Sequence, residues 1–161
     1  MLFPVNNFQQ KLSLYLTIFG THFLFLCIET ILMSLLLQKL GNPAALWQWF
    51  LNISAIPHGS YNCQPLSDYI AKVASEHGFE FAQDSALNVV VRKPASRSEL
   101  SSVPSICFQA HIDMVCQTDG NVDFKATGIQ PQLIGDKLHG FINGVPTTLG
   151  ADNGMSNFFH L

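Results

Sequence analysis

Charge is scarce in this 161-residue chain: 12% of the residues are charged and 48% are hydrophobic, with a net charge of −3 at neutral pH. Its few Lys and Arg residues form no run and no basic face, so the electrostatic footprint of a nucleic-acid binder is missing. Four cysteines, Cys27, Cys63, Cys107 and Cys116, lack framework spacing and are expected to be reduced thiols rather than disulfides. Internal repeats and low-complexity tracts are absent. What remains is a length that suits one domain with a buried core.

Hydrophobicity, by contrast, is concentrated. From Leu12 to Leu37 the only acidic, basic or histidine side chains are Glu29 and His22, and the run exceeds the roughly 20 residues that cross a bilayer as a helix. Glu29 inside it, Lys11 and Lys39 on its two flanks, and the lack of a small-residue cleavage site argue against a membrane anchor and a secretory signal. Residues 1–37 are read as a hydrophobic N-terminal helix that either anchors the chain in a membrane or is an incidental apolar extension. None of its residues carries chemistry.

A globular pattern begins near Gln38. Asn42 and Pro43 suit a helix start, and Leu46, Trp49, Phe50 and Ile53 recur at helical spacing. After the turn-rich Pro57-His58-Gly59-Ser60, a second helix is expected from Pro65, with Leu66, Tyr69, Ile70, Val73 and Ala74 on one face and Gly78 as its cap. Phe79–Phe81 and Leu87–Arg92 read as short strands around a Gln83-Asp84-Ser85 turn. Following a polar loop from Pro94 to Pro104, Ser105–Ala110 reads as a strand buried on both faces, with His111 and Asp113 at its carboxyl end, the edge where open α/β sheets bind ligands. Gly135-Asp136 and Asn143-Gly144 mark two hairpins. The expected fold is α/β, a mixed sheet with flanking helices.

His111 and Asp113 fall on one face of an extended backbone, where a carboxylate can orient an imidazole that binds a metal. The bland alternative is a simple hydrogen-bonding pair, just as Asp152 before Asn153-Gly154 ordinarily makes a turn. A mixed site of Cys107 and His111 is a further reading, set against a plain buried thiol. His58 is read as a loop cap, Trp47 and Trp49 as packing residues, and His139 and His160 as solvent-facing.

Several segments together carry a resemblance: Leu46-Trp47-x-x-Phe50; Ser54-Ala55-Ile56-Pro57-His58 with Ser60-Tyr61; Asn88-Val89-x-Val91-Arg92-Lys93-Pro94-Ala95; Gln109-Ala110-His111-Ile112-Asp113-Met114-Val115; and Thr147-Thr148-Leu149-Gly150-Ala151-Asp152-Asn153-Gly154. In order and spacing they resemble the amino-terminal part of the cytosol non-specific dipeptidases. These are also called aminoacyl-histidine dipeptidases or peptidase D, co-catalytic zinc peptidases related to the carnosinases.

That resemblance implies hydrolysis of unblocked dipeptides, Xaa-His among them, by a water activated between two zinc ions, with manganese or cobalt as alternative metals. By position, His111 corresponds to a zinc ligand, Asp152 to the carboxylate bridging both ions, and Asp113 to the catalytic acid that orients His111. The Asp152-Asn153 peptide is expected to be cis. Family members continue beyond the resemblance, which ends at Gly154, with a Glu-Glu pair, further ligands and a dimerisation domain that makes them homodimers. Residues 38–161 are therefore expected to be a truncated zinc-dipeptidase catalytic domain, cytoplasmic, poorly soluble and inactive alone. The alternative is a non-catalytic remnant held at a membrane through Leu12 to Leu37.

Overall fold

A computed structural model describes residues 31–155 of the protein. The chain divides between Gly41 and Asn42 into two units. In the first, residues 31–40 form helix α1. Most of the apolar run from Leu12 to Leu37 thus lies outside the described residues, as does His160. Among the described residues no helix is long and apolar enough to cross a membrane.

The second unit begins with α2 (Ala44–Ser54) and α3 (Gln64–Glu76). Pro43 stands at the N-cap of α2, where its fixed φ and missing N–H cost nothing. Phe50, Leu51, Ile53 and Ser54 are buried, and the Ser54 hydroxyl donates to the Phe50 carbonyl at 2.8 Å. Trp49 meets Tyr69 of α3 edge to face, with ring centroids 6.2 Å apart, an arrangement that matches positive ring edge to negative ring face. α3 buries Leu66, Ser67, Ala71, Val73 and Ala74. Gly78 ends it in the left-handed region at φ 70. The Gly78 and Phe79 N–H groups then donate back to the carbonyls of Ser75 and Ala74, the paired bonds of a Schellman cap.

β1 (Glu80–Gln83) and β2 (Val89–Arg92) form an antiparallel pair. The turn between them is built by Asp84, whose Oδ1 accepts the Ala86 and Asn88 N–H groups at 2.9 Å each. β3 (Gln132–Ile134), β4 (Lys137–Ile142) and β5 (Val145–Thr147) form a three-stranded antiparallel sheet in that order. Asn143 and Gly144 have φ 51 and φ 80, the two positive values that a tight hairpin turn requires. Beside this sheet Met114, Ile129 and Ile142 are buried together, with Cys116, Val122, Phe124 and Leu149 packed on them. The last element, α4 (Ala151–Gly154), is a kinked turn with non-helical Asp152 and Asn153.

Two expectations need correction. The described residues hold two small antiparallel sheets in place of one mixed sheet, and parallel pairing among them is confined to an isolated bridge of Gly59 with Met114. Ser105–Ala110 is not a buried strand: it joins no named strand, and Ile106 and Phe108 are 79% and 65% exposed. A doubly buried strand needs a ladder on its edges and a layer on each face, and the described residues supply neither.

Ile106, Phe108 and Val115 each leave apolar side-chain surface exposed, and such surface favours association. The 161-residue polypeptide should therefore self-associate reversibly at high concentration. The double substitution Ile106→Lys with Phe108→Ser should shift its sedimentation toward monomer, and an unchanged profile would assign the association to other residues.

Candidate metal centre

Three irregular segments converge around His111. The first loop lies beside the 111–115 segment through two backbone bonds: Met114 N–H donates to the His58 carbonyl at 3.0 Å, and Ser60 N–H to the Met114 carbonyl at 3.2 Å. On the other side the end of β5 and the residues after it are tied to the same segment. Thr148 N–H donates to the Gln117 carbonyl at 2.9 Å, and the Thr148 hydroxyl to the Val115 carbonyl at 2.7 Å. Gly150 then turns the chain at φ 76, and a Cβ on it would stand 2.9 Å from Met114 Sδ. A residue without a side chain is needed for both reasons, and the turn delivers Asp152 to His111.

The imidazole of His111 is held on both nitrogens. Nδ1 lies 3.0 Å from the Asp113 carbonyl oxygen and 3.1 Å from Asp113 Oδ1. Both are acceptors, so Nδ1 carries the proton and donates it. Nε2 lies 3.2 Å from Asp152 Oδ1, again an acceptor. With no cation present the ring satisfies both sides only as imidazolium; a cation between Nε2 and the carboxylate would satisfy them with the ring neutral. Two ligands each about 2.1 Å from a tetrahedral zinc stand about 3.4 Å apart, close to the separation found here. His111 and Asp152 are thus spaced as two ligands of one ion would be, a distance that an ordinary hydrogen bond shares. Asp152 is 95% exposed and open to solvent.

Electrostatics follow the same contacts. Slight burial lowers the basicity of His111, but hydrogen bonds to Asp152 and to the carbonyl and carboxylate of Asp113 outweigh it, so its pKa is raised. The Ser60 hydroxyl, donating to Asp113 Oδ2 at 2.6 Å, is the main cause holding Asp113 below the usual carboxylate range; partial burial opposes it and His111 assists. His58 is a different case. It is buried, its Nδ1 donates to the Ile56 carbonyl at 2.6 Å, and desolvation pushes its pKa down against the Ile56 bond and the nearby Asp113 charge.

A pH dependence follows from His58. Its folded-state pKa is below the unfolded value of about 6.5, so its contribution is intact above that value and is lost as pH falls through it. His111, with a raised pKa, works in the opposite direction. The difference in denaturation midpoint between the natural chain and His58→Gln isolates the first effect, and the advantage of the natural chain should shrink from pH 7.5 to pH 5. A gap that is constant over this range would contradict the buried, neutral state of His58.

The structure brings together all three residues expected from the sequence, His111, Asp113 and Asp152, and the Asp152-Asn153 peptide is cis. Cys107 is exposed with its thiol against the Phe108 carbonyl. No group of three or more His, Cys, Asp or Glu able to hold a metal is formed among the described residues. His139 is exposed as expected, while Trp47 is half-buried and its Nε1 has no hydrogen-bond partner among the described residues. Ser60 and Thr148 enter the sequence reading only as residues of the resemblance, with no role assigned to either. A hydroxyl 53 residues before Asp113 leaves no local signal.

Comparison with known proteins finds similarity to two dipeptidases, which are hydrolytic enzymes. Over 116 residues the chain is 39% identical to the cytosol non-specific dipeptidase of Escherichia coli (strain K12), an alignment covering 71% of this chain and 23% of that protein. The crystal structure of aminoacylhistidine dipeptidase from Vibrio alginolyticus superposes with a TM-score of 0.60 at 38% identity, over 73% of this chain and 23% of that one. No family model matches. The chain therefore spans less than a quarter of the length of these relatives.

Proposed function

We propose that this chain carries one edge of the zinc centre of a cytoplasmic dipeptidase, acting on unblocked dipeptides that include Xaa-His. The observation that carries the reading is the His111 ring held between Asp113 and Asp152, within a segment similar to two dipeptidases.

In this reading His111 and the Asp152 carboxylate would hold zinc, with manganese or cobalt as alternatives, and Asp152 would be shared with a second ion. Zinc supplies Lewis acidity, which acidifies a water and polarises a scissile carbonyl. Asp113 keeps the Nδ1 proton of His111 in place, leaves the Nε2 lone pair for the metal, and raises the ring's basicity as a ligand. The exposed side of Asp152 leaves room for a dipeptide to approach.

Three or four protein ligands normally hold each zinc, and His111 with Asp152 is joined by no third among the described residues. The 161-residue polypeptide alone is therefore expected to bind zinc weakly and to turn over no dipeptide. General-base assistance, typically worth about 10² to 10⁴ in rate, has no candidate glutamate in the cluster. The test is a chimera in which residues 42–154 replace the corresponding segment of the Escherichia coli relative. It should hydrolyse dipeptides in a chelator-sensitive way, while the isolated polypeptide does not. A folded but inactive chimera would contradict the proposal.

A further inference from the structure

Ser60 stands outside the proposed ligand set, yet its surroundings are built to aim it. The loop that carries it is pinned to Met114 by the two backbone bonds from His58 and Ser60 and by the Gly59–Met114 bridge. Gly59 itself lies so close to Cys116 that a Cβ would stand 2.5 Å from its sulfur, and Asn62 N–H donates to the Gly59 carbonyl at 2.8 Å. The next residue, Tyr61, adopts φ 65, a conformation costly for a side chain of its size. Its side chain is fully exposed and gains no packing in return. The compensation must come from its neighbours, and Ser60 makes the short one, 2.6 Å from Oγ to Asp113 Oδ2. That length is typical of a hydroxyl donating to a carboxylate.

Resting on the reading of His111 and Asp152 as the metal-holding pair, we infer that Ser60 is a positioning residue that, through Asp113, fixes the tautomer and orientation of the His111 ring. With Oδ2 held by Ser60, the Asp113 carboxylate cannot rotate without breaking that bond, so Oδ1 stays on the Nδ1–H of His111. Nδ1 keeps its proton, and Nε2 stays directed to the Asp152 side of the ring, where a cation would be shared between the two. Without the serine hydroxyl the Asp113 carboxylate turns to solvent, Nδ1 keeps only the Asp113 carbonyl at 3.0 Å, and a neutral imidazole exchanges its proton between the two nitrogens more readily. Supporting residues of this kind are typically worth about 10- to 100-fold in metal affinity.

The experiment uses the full 161-residue chain with 15N-labelled histidine, without metal, below the concentration at which it self-associates and at a pH where His111 is neutral. In the natural chain the His111 ring should show one protonated and one unprotonated nitrogen. In Ser60→Ala the two signals should move toward a common average. Ser60→Thr, which keeps the hydroxyl, should restore the natural pattern, and Ser60→Cys, a weaker donor of similar volume, should fall between, so a failure of the alanine variant to fold leaves the question open to the other two. In parallel, zinc competition with a chromophoric chelator should show about tenfold or greater weakening in Ser60→Ala and recovery in Ser60→Thr. Tautomer signals identical in all folded variants would overturn the role of Ser60. If zinc binding is instead indifferent to His111→Ala and Asp152→Ala, the functional reading fails, while the metal-free tautomer signals still decide the role of Ser60.

Discussion

Gly128→Ala should destabilise the second unit by about 3 kcal/mol or more, the upper end of what overpacking costs. A Cβ at Gly128 would stand 2.1 Å from the carbonyl oxygen and 2.3 Å from the carbonyl carbon of Ala55. These are backbone atoms at the end of α2, and no side-chain rotation can clear them. Nor can the chain move away freely, because Ile129 N–H next to it donates to the Ser54 carbonyl at 2.7 Å, and Ile129 is itself buried. Gly135 is the control. It has φ 64, and a methyl group placed there would meet nothing within 4 Å, so Gly135→Ala should cost only the left-handed backbone penalty of about 1 kcal/mol. Urea denaturation of the two variants separates close approach from backbone conformation. Equal midpoints would refute the contact of Gly128 with α2.

The second large effect concerns zinc. His111→Ala and Asp152→Ala should each weaken zinc binding by more than the roughly 10- to 100-fold lost on removing a supporting residue, because each takes away one of only two ligands in the cluster. Asp113→Asn should fall inside that supporting range, since it leaves both ligands present but loosens the ring. Competition against a chromophoric chelator reads all three. An Asp113→Asn variant as weak as His111→Ala would mean that Asp113 itself ligates the metal.

Local signals in this sequence were legible and distant ones were not. Asn143-Gly144 needs positive φ at both residues and Gly78 closes a cap with its immediate neighbours, so each can be read within a few residues of chain. Ser105–Ala110 has the composition of a buried strand, but burial is decided by what lies alongside, and composition says nothing of that. At the site, His111 and Asp113 are two residues apart and their pairing follows from spacing on an extended chain. Asp152 is 41 residues away, and only the resemblance to the dipeptidases linked it to His111. Ser60 and Thr148, which hold the flanking segments in place, belong to contacts that close long loops. Nothing in either residue's own neighbourhood announces them.

The most direct test of the zinc reading is a zinc titration of the 15N-histidine-labelled 161-residue chain, followed at the imidazole nitrogens. The account predicts that His111 Nε2 shifts first, that its Nδ1 remains protonated, and that Asp152→Ala suppresses the change. Zinc responses confined to His58, His77 or His139, or a His111 signal indifferent to Asp152→Ala, would contradict it.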